Sequence, residues 1–100
     1  SFKQHLTAAL EATGYPTSWI QPMSQLIANE SSWNPNAKNP NSTAHGYGQF
    51  LNSTRRNYEK KYGIRYDNPV NQLILTLHYV KDSYGDPFKA MDFWNRNKWY

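Results

Sequence analysis

The chain contains no cysteine. Disulfide bonds, thiolate catalysis and cysteine-ligated zinc are thereby excluded, and a cysteine peptidase with them. Acidic side chains are scarce, with seven Asp and Glu against eleven Lys and Arg in 100 residues. No apolar run approaches the ~20 residues of a membrane span, so no membrane insertion is expected, and no secretory leader is visible. His5, His45 and His78 lack the HExxH spacing of a zinc peptidase, and no glycine-rich phosphate cradle occurs, so no metal or cofactor is implied. Internal repeats and low-complexity tracts are lacking as well.

Aliphatic material is also limited: the hydrophobic fraction is 38% and the mean hydropathy is −0.91. Aromatic residues compensate, at 16% with four Trp and eight Tyr, because large rings bury much area each. Disorder normally comes with few aromatics, so a folded domain is expected. A chain of 100 residues makes one domain, residues 1–100, read as a piece of a larger protein and monomeric when isolated. The net charge of +4 favours polyanionic neighbours. Its only basic doublets, Arg55-Arg56 and Lys60-Lys61, read as a solvated helix face, and no nucleic-acid partner is assigned.

Five helices and no convincing strand pair can be drawn, which makes the fold class mainly α. The first runs over about 3–13, with Phe2, Leu6, Ala9 and Leu10 on one side and Gly14 as its C-cap. The second runs over about 19–31, capped by Thr17 or Ser18, with Gln21 at the capping-box position if Ser18 is the cap, and with Ile20, Met23, Leu26 and Ile27 inward. A third spans 53–62 and stops at Gly63. Asn68-Pro69 opens the fourth, the central helix, whose stripe of Val70, Leu73, Ile74, Leu77, Val80 or Lys81, and Tyr84 is the longest in the chain. Asp86-Pro87 opens the fifth, with Phe88, Met91 and Trp94 inward.

Residues 32–51 differ: two Asn-Pro pairs, two glycines and many short polar side chains read as a long ordered loop or a very short β-hairpin. A loop of that length in so small a domain suggests function. At its start stands Glu30, three residues after Ile27 and four after Leu26, and so on the buried face of the second helix. Burial there, with Trp33 nearby as a further shield, would raise its pKa toward that of a general acid at neutral pH. The alternative is a rim carboxylate in water or a helix-terminal role.

The loop's Asn and Ser side chains, together with Trp33, Tyr47 and Phe50, suit sugar recognition: rings cover pyranose faces and amides bond hydroxyls and N-acetyl groups. Gly46 and Gly48 either let backbone approach a ligand or simply make tight turns. His45 borders these glycines within reach of a ligand, and His78 reads as a partly buried helix residue.

Glu30-Ser31, Asn34-Pro35-Asn36-Ala37, Gly46-Tyr47-Gly48-Gln49 and Ser53-Thr54 follow one another in an order and spacing that resembles the soluble lytic transglycosylase domain, the goose-type branch of the lysozyme-like superfamily. Tyr79 falls where that family has a tyrosine on its central helix. Ala90 to Asn95 resembles its Ala-rich Tyr-Asn element, and the final Asn97-Lys98-Trp99-Tyr100 the Gly-Trp-Tyr ending of Gram-positive and phage members. The resemblance covers about residues 19–100. It implies a lysozyme-like α+β domain of mainly helical content that cleaves the MurNAc-β-1,4-GlcNAc bond of peptidoglycan glycan strands. It implies Glu30 as catalytic acid and then base, with Ser31 orienting it or the substrate. Gln49, Tyr79, Trp94 and Asn95 would line the cleft, and Tyr47 with the loop backbone would grip N-acetyl sugars. Tyr47 replaces the usual Leu, Trp94 the usual Tyr and Lys98 the usual Gly, departures that bear on substrate preference.

No second acid is placed opposite Glu30, whereas ordinary glycosidases use two carboxylates. Asp86 is committed to capping, and Glu11 and Glu59 fall on solvated faces. The resemblance favours a lytic transglycosylase, in which the C6 hydroxyl of the substrate's own muramic acid attacks C1 and leaves a 1,6-anhydro end. A hydrolytic muramidase of the same fold is the alternative, and a non-catalytic wall-binding module of a phage tail or secretion machine is another. The location expected is extracellular, at the cell wall, or in a virion tail.

Overall fold

The computed structural model describes residues 1–98, so the ending expected at Trp99 and Tyr100 lies outside the described residues. The domain is mainly helical. Its helices are α1 (Phe2–Thr13), α2 (Ile20–Ser31), α3 (Asn52–Tyr62), α4 (Pro69–Tyr84) and α5 (Pro87–Asn97). Among the described residues, β structure is confined to isolated antiparallel bridges that pair His45 with Lys38 and with Phe50. None of the helices is long and apolar enough to cross a membrane.

Local signals account for the boundaries. Gly14 and Gly63 close α1 and α3 in the left-handed conformation, where a side chain would be strained. Asn68 and Asp86 each accept a bond from the backbone N–H three residues on, and Pro69 and Pro87 occupy first-turn positions whose N–H needs no partner. The expected Ser18–Gln21 capping box does not form. A 3₁₀ turn over Thr17–Trp19 leads straight into α2, and Trp19 is already helical at the cap and buried in the core.

α4 is the central helix. It packs against α1, α3 and α5, and every residue from Gln72 to Leu77 is buried. Its middle turns are enclosed by these neighbours, which explains the run QLILTL, apolar except for Gln72 and Thr76. Leu6, Ala9 and Leu10 from α1, Met23, Leu26 and Ile27 from α2, and Leu73, Leu77 and Val80 from α4 form the main core. Truncating one of these leucines to Ala would cost about 2–5 kcal/mol. Phe50, Tyr66 and Leu75 form a second cluster, with Tyr58, Tyr62 and Tyr79 around it.

α5 corrects one expectation. Phe88 is 53% exposed, while Pro87 and Ala90 are buried and Met91 and Trp94 partly so. The inward stripe begins one residue earlier than the sequence reading placed it.

Candidate active site

Glu30 lies in the last turn of α2, above Leu26 and Ile27, which are fully buried. The chain then leaves the helix through two successive left-handed residues, Ser32 (φ 53°) and Trp33 (φ 59°). That conformation is uncommon outside glycine, and for a ring as large as Trp33 it has to be held in place. The indole Nε1 donates to the Ser24 carbonyl at 3.0 Å and the ring lies against Phe2. Trp33 is thus half-exposed on the α1–α2 side and does not shield Glu30 as expected.

Glu30 opens into a cleft of about 340 Å³. The loop contributes Asn39, Ala44, Gly48 and Gln49 to its lining. Phe50, Leu51 and Thr54 carry the wall into α3, and α4 supplies Tyr79. Phe50 stacks on Tyr66 with ring centroids 5.0 Å apart and meets the Tyr79 ring at 5.4 Å, which makes an aromatic floor. Removal from water pushes the Glu30 carboxyl up to about 7. Among the described residues no cation lies within ion-pair distance to pull it back down. Burial, with the charges of Tyr79 and Glu30, pushes the Tyr84 phenol up to about 12.

The glycine turn is seated on α4. The Tyr47 N–H donates to Gln72 Oε1 at 2.9 Å, and the Gly48 N–H donates to the Tyr66 hydroxyl at 3.2 Å. Gln72 Nε2 also donates to the Pro35 carbonyl at 3.2 Å, so one buried side chain clamps both ends of the loop. A Cβ at Gly46 would come within 2.6 Å of the Tyr66 hydroxyl, and one at Gly48 would collide with Thr76 Oγ1. Both glycines therefore serve a close approach of the loop to Tyr66 and α4, and Gly48 also lines the cleft.

Several residues assigned to substrate stand elsewhere. Tyr47 is only 1% exposed, its ring edge-on to Phe2 and its hydroxyl 2.8 Å from His5 Nδ1, so the ring is core and cannot cover a sugar face. Ser31 is buried, and its hydroxyl donates back to the Ile27 carbonyl at 3.1 Å. That bond commits the hydroxyl to the helix backbone rather than to Glu30. His45 is not in the cleft lining; its ring stands edge-on to Tyr66 and its Nδ1 lies 3.1 Å from the Thr43 carbonyl. Trp94 packs partly buried at the edge of the main core, and Asn95 is exposed on α5; neither lines the cleft. Gln49 and Tyr79 do line it. Gln49 is itself left-handed (φ 53°), held by bonds from its Nε2 to the Ala37 and Gly46 carbonyls at 3.2 and 2.9 Å.

The loop's amides are used internally as well. Asn34, Asn39 and Ser42 each accept a bond from the backbone N–H two residues on, the local turns for which these side chains are suited. Asn39, Thr54, Tyr66, Gln72 and Thr76 were not singled out as individual site residues from the sequence. The two polar interruptions of the apolar run QLILTL were the available signal for Gln72 and Thr76.

Of the other acids, Asp82 is bound by Lys61 Nζ and the Tyr62 hydroxyl at 2.8 and 2.7 Å. Glu59 is not a solvated residue: it accepts from Arg55 and from the Tyr66 N–H, both at 2.8 Å. Glu30 is the one carboxylate among the described residues that lines the cleft.

A family model, the Transglycosylase SLT domain, matches residues 8–89. The chain belongs to this family. Comparison with curated proteins and with solved structures found no match to either. The match spans Glu30, the glycine turn and the whole of α4, so the cleft lies inside the SLT domain. Membership carries the lysozyme-like, mainly helical fold and peptidoglycan-cleaving transglycosylase activity in general terms.

Proposed function

We propose that this domain is a lytic transglycosylase in which Glu30 is both the acid and the base. The observation that carries the reading is Glu30 as the one carboxylate that lines the cleft among the described residues, held near neutral pKa by burial. With a pKa of about 7, a large fraction of Glu30 is protonated at neutral pH and can donate to the oxygen of the MurNAc-β-1,4-GlcNAc bond. The C1–O bond breaks, and the leaving sugar departs with a new 4-hydroxyl. The Glu30 carboxylate then takes the proton of the muramic acid's C6 hydroxyl as that oxygen closes on C1. A 1,6-anhydro end forms, Glu30 is protonated again, and no water is consumed.

Two-carboxylate glycosidases place the second group opposite the acid, as nucleophile or to activate water. Here the walls contributed by Phe50, Leu51 and Tyr79 carry no such group, which supports attack by the substrate's own hydroxyl. In this reading Gln49 and the Gly48 backbone position the sugars, and the protein acts outside the cell at the cell wall, or in a virion tail.

Purified peptidoglycan incubated with the protein and with Glu30→Gln decides the matter by the masses of released muropeptides. Anhydro products from the wild type and none from the variant are expected. Products heavier by one water would make the enzyme a muramidase, and no release by either would leave a wall-binding module.

A further inference from the structure

The cleft continues. Asn39 and Ala44 line both the cleft and a neighbouring groove of about 330 Å³, which runs along the loop toward Lys38 and His45. Those two basic residues in turn line a smaller hollow of about 160 Å³ beyond it. Among the described residues no acidic side chain lines either space. The apolar groove beside Trp33, of similar size, shares no lining residue with the cleft. A ligand arm that leaves the cleft through a shared wall thus meets Lys38.

The groove is rigid in a particular way. The side chains of Asn39, Ser42 and Thr43 accept bonds from the backbone of Asn41, Ala44 and Asn52, at 2.8, 3.1 and 3.0 Å. The bridges from His45 to Lys38 and to Phe50 tie its two sides together. Lys38 is exposed and makes no ion pair among the described residues. The groove therefore holds its polar walls by internal bonds and presents an uncommitted cation.

The substrate of the proposed reaction branches. Each muramic acid carries a lactyl ether extended by a stem peptide with carboxylates, while the glycan backbone itself is neutral. We infer that the Lys38 groove receives the acidic stem peptide of the muramoyl residue next to the scissile bond, with Lys38 pairing to a stem carboxylate. The inference rests on the reading of peptidoglycan as substrate, and it makes Lys38 a residue that selects strands with free stem carboxylates over strands whose stems carry none.

Affinity is to be titrated in the Glu30→Gln background, so that turnover does not enter, with peptidoglycan strands bearing free stem carboxylates and with the same strands after chemical amidation of those carboxylates, because removal of the stems would leave a charged lactyl carboxylate in their place. An exposed ion pair supports a preference of about 2- to 5-fold for the strands with free stem carboxylates. That preference is expected to vanish in Lys38→Gln, to invert in Lys38→Glu and to shrink at high salt. Equal affinity for both strands before Lys38 is changed, or an equal loss on both strands in the Lys38 variants, overturns the assignment. Absence of product from the wild type overturns the proposed reaction, and the affinity comparison then still decides the groove by itself.

Discussion

The backbone N–H of Gly48 donates to the Tyr66 hydroxyl at 3.2 Å, and that hydroxyl donates onward to the His45 carbonyl at 2.9 Å. Gly48 lines the cleft, so a phenol from the segment before α4 sets where part of the cleft wall stands. Tyr66→Phe keeps the ring stacked on Phe50 and deletes both bonds. Hydrogen bonds among buried groups of this kind cost about 1–3 kcal/mol when one partner is lost. For a domain of this size, each kcal/mol lowers the melting temperature by about 4–8 °C. A melting point unchanged in Tyr66→Phe would show that the hydroxyl carries no such bond.

Gly48 and Thr76 form the second testable pair. A Cβ at Gly48 would overlap Thr76 Oγ1 and come within 3.2 Å of its methyl carbon, so Gly48→Ala alone should destabilise by at least about 1–3 kcal/mol, the usual cost of overpacking. Thr76→Ala removes the two obstructing Thr76 atoms and leaves Phe50 Cε1 at 3.2 Å, and it also deletes the Oγ1 bond to the Gln72 carbonyl. The double variant should therefore lose less stability than the two single variants added together, a coupling of about 0.5–3 kcal/mol in chemical denaturation. Strict additivity would mean that the loop does not sit against α4 at this point.

These contacts also mark where the sequence stopped being legible. Five helices, their glycine and Asn-Pro or Asp-Pro boundaries, and the centrality of α4 follow from local periodicity and capping, both written within a few residues. Glu30 was visible for the same reason: its burial is set by Leu26 and Ile27 one turn earlier. Gln72 takes its meaning from Tyr47 and Pro35, 25 and 37 residues away in sequence, and no local pattern encodes such a partner. The same gap misplaced Tyr47 and Trp33. An aromatic in a polar loop suits a sugar platform and a core anchor equally well until the surface it meets is known. Tyr47 met Phe2 and His5 of α1, and Trp33 met Phe2 and Ser24.

Glu30 should make stability depend on pH with a defined sign. Its folded pKa of about 7 lies above the ordinary 4.5, so the folded state holds the proton more tightly. Stability is then unaffected below about 4.5 and falls as pH rises from there through about 7, where the folded domain must ionise a buried acid. The full shift corresponds to at most about 3 kcal/mol. Glu30→Gln removes this slope, so the variant should be more stable than the wild type at pH 8 and nearly equal to it at pH 4. Product release by the wild type should decline above about pH 7 as the proton donor is lost. Parallel denaturation curves for both proteins across this range would show that Glu30 is solvated.

Ser32 and Trp33 share nearly the same left-handed φ, 53° and 59°, yet glycine should act oppositely at the two positions. Ser32 is the exposed C-cap of α2, and its N–H closes the helix on the Ala28 carbonyl whatever the side chain. Ser32→Gly relieves the left-handed strain and should stabilise by about 1 kcal/mol. Trp33→Gly relieves a similar strain but deletes the Nε1 bond to Ser24 and the ring contact with Phe2. Loss of a hydrogen bond and of a half-buried aromatic outweighs the relief, because each is worth about 1 kcal/mol or more. Thermal denaturation should therefore place Ser32→Gly above the wild type and Trp33→Gly below it. If both variants gained stability, the indole would not be what holds the chain in the sharp exit from α2 that follows Glu30.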